Sequence, residues 1–137
     1  MALVFLAGFV GHAQGVIGKW RSIDEHTGKP LAIVEIFEQG GKIHGKIIDI
    51  LSEKDKNKVC VNCPGNDKGK PYMGLVVIKG LSKDGKEYNG GEILDPKHGK
   101  LYRCYITTEG ADKLKVRGYL GFSLFGRTQY WHRVEDN

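Results

Sequence analysis

The sequence predicts an all-β protein, an eight-stranded antiparallel up-and-down barrel, with a β-sandwich as the alternative. Short apolar or alternating runs recur along the chain, with no long amphipathic helix between them. Turn signals separate the runs, and 20 glycines against four prolines fit an all-β chain with tight turns. Most connections are short, which antiparallel strands allow and parallel strands do not.

The predicted strands follow from these runs in chain order. They cover residues 16–23, 31–38, 42–51, 74–81, 87–94, 100–108, 112–122 and 127–134. The intervening turns carry the residues that turns require: HTGKP at 26–30, QGG at 39–41, DG at 84–85, DPKHG at 95–99 and EG at 109–110. Eight such strands most simply close into a barrel.

One connection is long, the polar segment 52–72, and we expect it to form a loop over the mouth of the barrel. Strand alternation then predicts which side chains face the interior. The expected interior residues are Val34, Ile36, Ile43, Ile47, Val77, Ile106, Val116 and Leu120. Both faces of the run KIIDIL (46–51) are partly apolar, so the register of the third strand stays open.

The first residues differ from the rest, and we expect one barrel domain over 14–137 behind a leader. Residues 2–10 are apolar, and the small residues Gly11 and Ala13 suit signal-peptidase cleavage after Ala13. The alternative for residues 1–13 is an N-terminal helix packed on the barrel. The apolar stretch is too short to span a bilayer, so we expect no transmembrane segment. A cleaved leader predicts a secreted or periplasmic protein.

The charge pattern argues against a nucleic-acid partner. The net charge is +5, but the lysines are spread along the chain and interleaved with acidic residues. No Lys/Arg run tracks one face, as a nucleic-acid surface requires. The oligomeric state stays open between monomer and homodimer.

The first predicted strand carries a tryptophan next to a glycine, Gly18-Lys19-Trp20. A small closed barrel must be sealed at one end, and a tryptophan is large enough to seal it. A cation over its ring holds such a side chain best. The last strand neighbours the first in a closed barrel, so Arg133 is the first choice for this cation and Arg127 the second.

These residues resemble a known group. Gly18-Lys19-Trp20 matches the glycine–any–tryptophan signature of the lipocalins and the wider calycin superfamily, which also carry an arginine on a late strand. The segments IGKWRSIDEHTGKP, CVNCPG, YNGGEILDPKHGKLYRC and LKVRGYLGFSLFGRTQYWHRV are also similar to a family of small exported bacterial proteins of unknown function. This similarity covers nearly all of residues 16–134. It implies a lipocalin-like barrel and export, with Trp20 and Arg133 as structural residues and no catalytic residue.

The pair Cys60 and Cys63 admits three interpretations: a structural disulfide, a redox centre or part of a metal site. The motif lies in a polar loop without a following helix to lower a thiol pKa. A metal site needs further ligands, and the histidines are scattered. In an exported protein a local disulfide is favoured. Cys104 alternates with apolar neighbours and is expected to be a buried free thiol.

No catalytic constellation is evident, so we expect neither an enzyme nor a cofactor. Asp24 and Glu25 lie near a turn, and Glu35 is a lone acid between two apolar residues. Ser123 has no evident His–Asp partners, and no nucleophile elbow or phosphate loop occurs. A hydrolase acting on a lipid-like substrate would need such a pair near the mouth.

The segment 118–134, rich in glycine, aromatics and arginine, suggests either core packing or a ligand pocket. Arg117, Arg127 and Tyr130 are candidates to hold a carboxylate or phosphate head, because arginine binds such groups bidentately. Phe122 and Phe125 are candidates for a wall or lid, and Val34, Ile36 and Val116 for the apolar lining. The sequence thus predicts a carrier of a small, mostly hydrophobic or amphipathic molecule. The alternatives are an envelope or host-facing interaction protein with a packed barrel, and a CxxC thiol-redox protein.

Overall fold

A computed structural model describes residues 15–121 and 125–135 of the chain. Eight strands account for most of them. They are β1 (Gly18–Ile23), β2 (Pro30–Gln39), β3 (Lys42–Ile50), β4 (Val76–Asp84), β5 (Glu87–Asp95), β6 (Lys100–Thr108), β7 (Lys113–Tyr119) and β8 (Gly126–Val134). Short 3₁₀ turns at Glu53–Asp55 and Gly65–Asp67 interrupt the connection from β3 to β4.

Each strand pairs antiparallel with the next, and β8 pairs with β1, so the sheet closes into a barrel. The predicted fold class is confirmed. The sandwich alternative is wrong because the pairing of Trp20 with Arg133 joins the first and last strands of one continuous sheet. The predicted leader or helix at residues 1–13 lies outside the described residues.

Alternate connections lie at opposite ends of the barrel. The mouth end consists of the connections 24–29, 51–75 and 96–99 together with residues 120, 121 and 125. The closed end consists of the connections 40–41, 85–86 and 109–112 together with residues 15–17. The closed-end hairpin between β2 and β3 has two central residues, Gly40 and Gly41, both with positive φ (62° and 76°). Two such residues in succession match the twist of the flanking strands, which explains the QGG turn.

A bulge settles the register that the sequence left open. The β2–β3 pairing shifts between Ile33 and Val34, so that Val34 pairs with Ile47 and Ala32 with Ile50. The extra residue on β3 allows both Ile47 and Ile50 to be buried. The run is apolar on both faces because the strand changes its alternation within it.

The end of β7 differs from the prediction. This strand ends at Tyr119 and not at residue 122, because the chain turns before Gly121, whose φ is positive. Leu120 therefore lies in the loop and is exposed, so its predicted place in the interior is wrong. The other predicted interior residues are buried: Val34, Ile36, Ile43, Ile47, Val77, Ile106 and Val116.

Candidate functional site

A cavity of about 380 Å³ occupies the mouth half of the barrel. Its deep walls are apolar and come from β2, β3, β4, β5, β7 and β8. The apolar side chains lining it include Ala32, Val34, Ile47, Ile50, Val77, Ile93, Leu94, Val116 and Trp131. The predicted loop 52–72 reaches this mouth as expected, since Asp55, Lys58 and Tyr72 also line the cavity.

Charged side chains surround the opening of the cavity in near balance. The acidic ones are Asp24, Glu25, Asp55 and Asp95, and the basic ones are Lys54, Lys58, Lys97 and Arg127. His26 stands among them on the β1–β2 connection. The cavity is thus apolar inside and charged at its rim, which is the arrangement of many small-molecule sites.

Each acidic residue of the rim is already engaged by this chain. The Asp24 carboxylate accepts hydrogen bonds from the backbone N–H groups of His26 and Thr27, which hold its pKa below the usual range. The Asp95 carboxylate likewise accepts from two backbone N–H groups and lies 2.8 Å from His98 Nδ1. Asp55 is 3.0 Å from Lys58 Nζ.

Glu25 connects the β1–β2 connection to strand β8 through a polar chain. Gln129 Nε2 donates to Glu25 Oε2 at 3.1 Å, and Trp131 Nε1 donates to Gln129 Oε1 at 3.1 Å. Arg127 Nε lies 3.9 Å from the same Glu25 oxygen. One side of the opening therefore carries hydrogen-bonding groups that continue from the exposed rim to the buried indole of Trp131.

The β3–β4 connection is stapled by the disulfide between Cys60 and Cys63, whose Cα atoms are 5.4 Å apart. Both cysteines are buried, at 0% and 3% exposure. The disulfide loop packs on the β5–β6 turn: Cys60 Sγ lies 3.4 Å from the Pro96 carbonyl oxygen. A Cβ at Gly99 would collide with the Asn62 backbone, so this contact admits no side chain there.

A second attachment holds the same connection to the barrel wall. Asp67 Oδ2 lies 2.7 Å from Lys79 Nζ on β4, and its other oxygen lies 3.3 Å from Lys70 Nζ. The hydrogen bond from Lys79 is the main reason that the Asp67 pKa is lowered. The long loop is thus fixed at the mouth at two separate points.

The closed end is sealed by Trp20, which has no exposed surface. The Arg133 guanidinium lies over the indole, 4.2 Å from the ring centroid, and donates to the carbonyls of Ala111, Ile17 and Gly15. Trp20 Nε1 donates to the Val16 carbonyl at 2.9 Å. Gly18 has φ of 134°, and a Cβ there would lie 2.8 Å from Arg133 Nη1. The glycine of the motif therefore makes room for the arginine.

The structure distributes the predicted ligand residues unevenly. Val34, Val116 and Arg127 line the cavity, whereas Ile36 is buried in the packed interior nearer the closed end. Phe125 is exposed beside the mouth, and Phe122 lies outside the described residues.

Arg117 and Tyr130 lie on the outer face of the barrel and do not line the cavity that they were expected to line. Arg117 Nη1 donates to Thr128 Oγ1, and Lys113 Nζ lies 4.6 Å from the Tyr130 ring centroid. The reason is strand alternation, since their neighbours Val116, Gln129 and Trp131 face inward.

The remaining groups with reactive or metal-binding chemistry are the Cys104 thiol and the other His, Asp and Glu side chains. Cys104 is buried, and burial raises the pKa of its thiol to about 12. In the ranges 15–121 and 125–135, no three His, Cys, Asp or Glu side chains come together in a way that would hold a metal ion. Those ranges also contain no helix with the length and apolar character that crossing a membrane requires.

Several cavity residues were missed by the sequence analysis as members of a site. Tyr72, Lys54 and Lys97 come from loops, and no local pattern marks which loop residues reach the opening. Gln129 was detectable, because it shares the inward parity of Arg127 on β8. Glu25 was not predicted as a site residue because its partners Gln129 and Arg127 lie more than 100 positions away in the sequence.

Comparisons with known proteins identify the fold and the family of this chain. Among solved structures, a Helicobacter pylori protein, HP1028, described as belonging to the lipocalin family, superposes with a TM-score of 0.76. The two chains are 22% identical over 88% of this chain and 84% of that one, so the likeness shows a lipocalin-like fold. No match was found among curated protein sequences. Residues 18–133 match the family described as "Uncharacterized protein conserved in bacteria (DUF2147)", and the chain belongs to that family.

Proposed function

We propose that this protein binds a small, mostly apolar molecule with an anionic head in the barrel cavity, and that it does so without catalysis. The observation that carries the proposal is the cavity of about 380 Å³ with apolar walls and a charged rim. Small-molecule sites typically enclose roughly 300–1,000 Å³. An apolar cavity of roughly 150 Å³ already holds benzene. The space here therefore suits a ligand larger than a single ring.

The expected charge of the ligand head follows from which charged groups at the rim are already bonded within the chain. Asp24, Asp55 and Asp95 accept hydrogen bonds or ion pairs from this chain, and Glu25 from Gln129. Across the described residues, neither Lys54 nor Lys97 has a carboxylate within 4.0 Å. These two ammonium groups, with the exposed Arg127, favour a carboxylate or phosphate at the opening.

A purely binding role is supported by how the polar groups at the opening are used. Ser22 donates to the Ala32 carbonyl at 3.3 Å instead of to a base. Gln129 and Glu25 are hydrogen-bonded to each other, which suits orientation of a ligand and not proton transfer. We further propose that the protein is exported. The leader-like sequence of residues 1–13 and the disulfide at Cys60–Cys63 support this, since disulfides persist in oxidising compartments.

Two fluorescent probes that differ in one group test the binding site. N-phenyl-1-naphthylamine is neutral, and 1-anilinonaphthalene-8-sulfonate carries the same rings with a sulfonate. Both are expected to bind with a stoichiometry near one, the anionic probe more tightly. Lys97→Gln is expected to lower the affinity for the anionic probe and to leave the affinity for the neutral probe unchanged.

A matched pair of variants locates the probe. Ala32 faces the cavity and Ile33 faces outward on the same strand. Ala32→Phe fills the cavity and should lower the affinity for both probes by about tenfold or more, whereas Ile33→Phe should leave the affinity unchanged. Equal affinity in wild type and Ala32→Phe, with both variants folded, would place the probe elsewhere and overturn the proposal.

A further inference from the structure

Exposed large apolar side chains are concentrated at one end of the barrel. Seven are exposed in the part of the chain that the structure describes, and six of them lie at the mouth end. These six are Leu51, Val59, Val61, Met73, Leu120 and Phe125. The seventh, Tyr130, lies in mid-strand on the outer wall. At the closed end, the connections 40–41, 85–86 and 109–112 contain only glycine, alanine, lysine, glutamate and aspartate.

The apolar tips come from two connections on opposite sides of the mouth. Four belong to the connection from β3 to β4, and two to the connection from β7 to β8. In the closed order of eight strands, these two connections are separated by β5 and β6 on one side and by β1 and β2 on the other. Val61, Leu120 and Phe125 are the most exposed, at 61%, 51% and 63%. The cavity opens between the two groups of tips.

Scattered single apolar residues are normal on a protein surface, but concentration on the loop tips of one end is not. None of the six lines the cavity, so ligand binding does not account for them. Anchoring of the β3–β4 connection does not account for the four that it carries, because the residues that anchor it are Cys60, Cys63 and Asp67.

Basic residues accompany these tips. Residues 51–73 contain five lysines against three acidic residues, and each of the three acids lies within 3.3 Å of a lysine Nζ. Apolar side chains projecting among lysines complement a bilayer that contains anionic lipid: the apolar groups enter the boundary between headgroups and acyl chains while the ammonium groups attract the phosphates. Two separate groups of tips on either side of an opening suit a broad, deformable surface better than a single groove-shaped protein contact.

We propose that the mouth end is a docking surface for membranes containing anionic phospholipid, with Val61, Leu120 and Phe125 entering the interface. This orientation places the cavity opening against the bilayer. A molecule with an acyl-like body then moves between membrane and cavity without crossing water. The docking proposal stands on the exposed tips and their lysines, and does not depend on what the cavity holds.

Vesicle flotation of the whole protein tests the docking surface. Vesicles of phosphatidylethanolamine and phosphatidylglycerol are compared with vesicles of phosphatidylcholine alone. We expect the wild type to float with the anionic vesicles, and the bound fraction to fall at raised ionic strength. The double variant Val61→Ser, Leu120→Ser should reduce the partition coefficient by at least about tenfold. Tyr130→Ser, which also removes an exposed apolar side chain but from the outer wall, should leave it unchanged.

Three outcomes would overturn the proposal. One is no binding to anionic vesicles, and another is the same loss in Tyr130→Ser as in the double variant. The third is a wild-type dimer, seen by light scattering, that becomes a monomer in the double variant, because the tips would then form an interface between two copies of the chain. Probe titration in the absence of vesicles is measured on the same variants. The affinity for each probe should be the same in the variants as in the wild type. A failure of membrane docking is thereby distinguished from a failure of cavity binding.

Discussion

At the closed end the barrel interior is filled by side chains, whereas at the mouth end the same inward alternation leaves a cavity of about 380 Å³. The difference lies in the sizes of the inward residues. Trp20, Ile36, Leu81, Ile106 and Leu114 fill the closed half and are almost completely buried. On the same strands β1, β2 and β7, the inward positions nearer the mouth are Ser22, Ala32 and Gly118.

The sizes of the inward side chains therefore decide which half of the barrel is filled and which half is open. The eight strands form one closed antiparallel sheet through both halves, with a bulge between β2 and β3 in the mouth half. A closed barrel of this size is just wide enough for side chains to fill or for one small ligand. Large inward residues fill the closed half, and small ones leave the cavity open in the mouth half.

The largest expected effect comes from removing the plug. Trp20→Ala should lower the free energy of unfolding by about 3–5 kcal/mol, because it empties a fully packed site and removes the ring beneath Arg133. Trp131→Ala should cost less, since the Trp131 ring borders the cavity and has packing partners on fewer sides. Urea unfolding measures both. Equal losses in the two variants would contradict the distinction between the filled and the open half.

The disulfide at the mouth should have the next largest effect. Replacing Cys60 and Cys63 together by Ser is expected to cost about 2 kcal/mol, the loop-entropy value for a ring of four residues. Thermal or urea unfolding checks this. Dithiothreitol should lower the stability of the wild type by a similar amount and leave the double variant unaffected. A wild type whose stability does not change on full reduction would show that the disulfide between Cys60 and Cys63 does not stabilise the fold.

Gly18 offers a smaller test of the closed end. Gly18→Ala should destabilise the barrel by upward of about 1 kcal/mol, because φ of 134° is strained for alanine and the Cβ would meet Arg133 Nη1. Gly15→Ala is the matched control, since its nearest neighbour would be 4.0 Å away. Comparable melting temperatures for the two variants would show that the glycine is not needed for the placement of Arg133.

The smallest effect concerns the attachment of the mouth loop through Asp67. Its lowered pKa means that the folded state binds this proton less readily than the unfolded state does. The contribution of the Asp67 carboxylate to the free energy of unfolding, less than about 1 kcal/mol, is complete above about pH 5 and is lost as the pH falls through the lowered folded-state pKa. Asp67→Asn should therefore differ from wild type at neutral pH and converge with it in acid. Glu53→Gln, at an exposed ion pair, should leave the free energy of unfolding unchanged at neutral pH.

The sequence was informative where local pattern decides the structure. Alternation predicted the strands and the inward face of β8, and Gly18-Lys19-Trp20 pointed to Trp20 as a plug with Arg133 as its partner. The sequence did not predict where a strand ends, nor which loop residues reach the cavity opening. Leu120 followed the alternation of β7 but lies beyond its last residue, Tyr119.

The candidate site was less predictable than the fold, for a physical reason. Arg117 and Tyr130 have suitable chemistry, but each is one residue out of register with the inward face, and a shift of one position moves a side chain to the other side of a sheet. Glu25, Tyr72 and Lys97 reach the opening from separate loops. Their meeting depends on closure of the whole barrel, which no short stretch of sequence encodes.

The central claim, that the mouth half is a binding site, is tested most directly by native mass spectrometry of the protein purified from its own cells without added ligand. We expect an added mass near one molecule per chain, released by organic extraction as an amphipathic compound and absent from Ala32→Phe. A wild-type chain that is empty, and that also fails to bind N-phenyl-1-naphthylamine and its sulfonated analogue, would contradict the central claim.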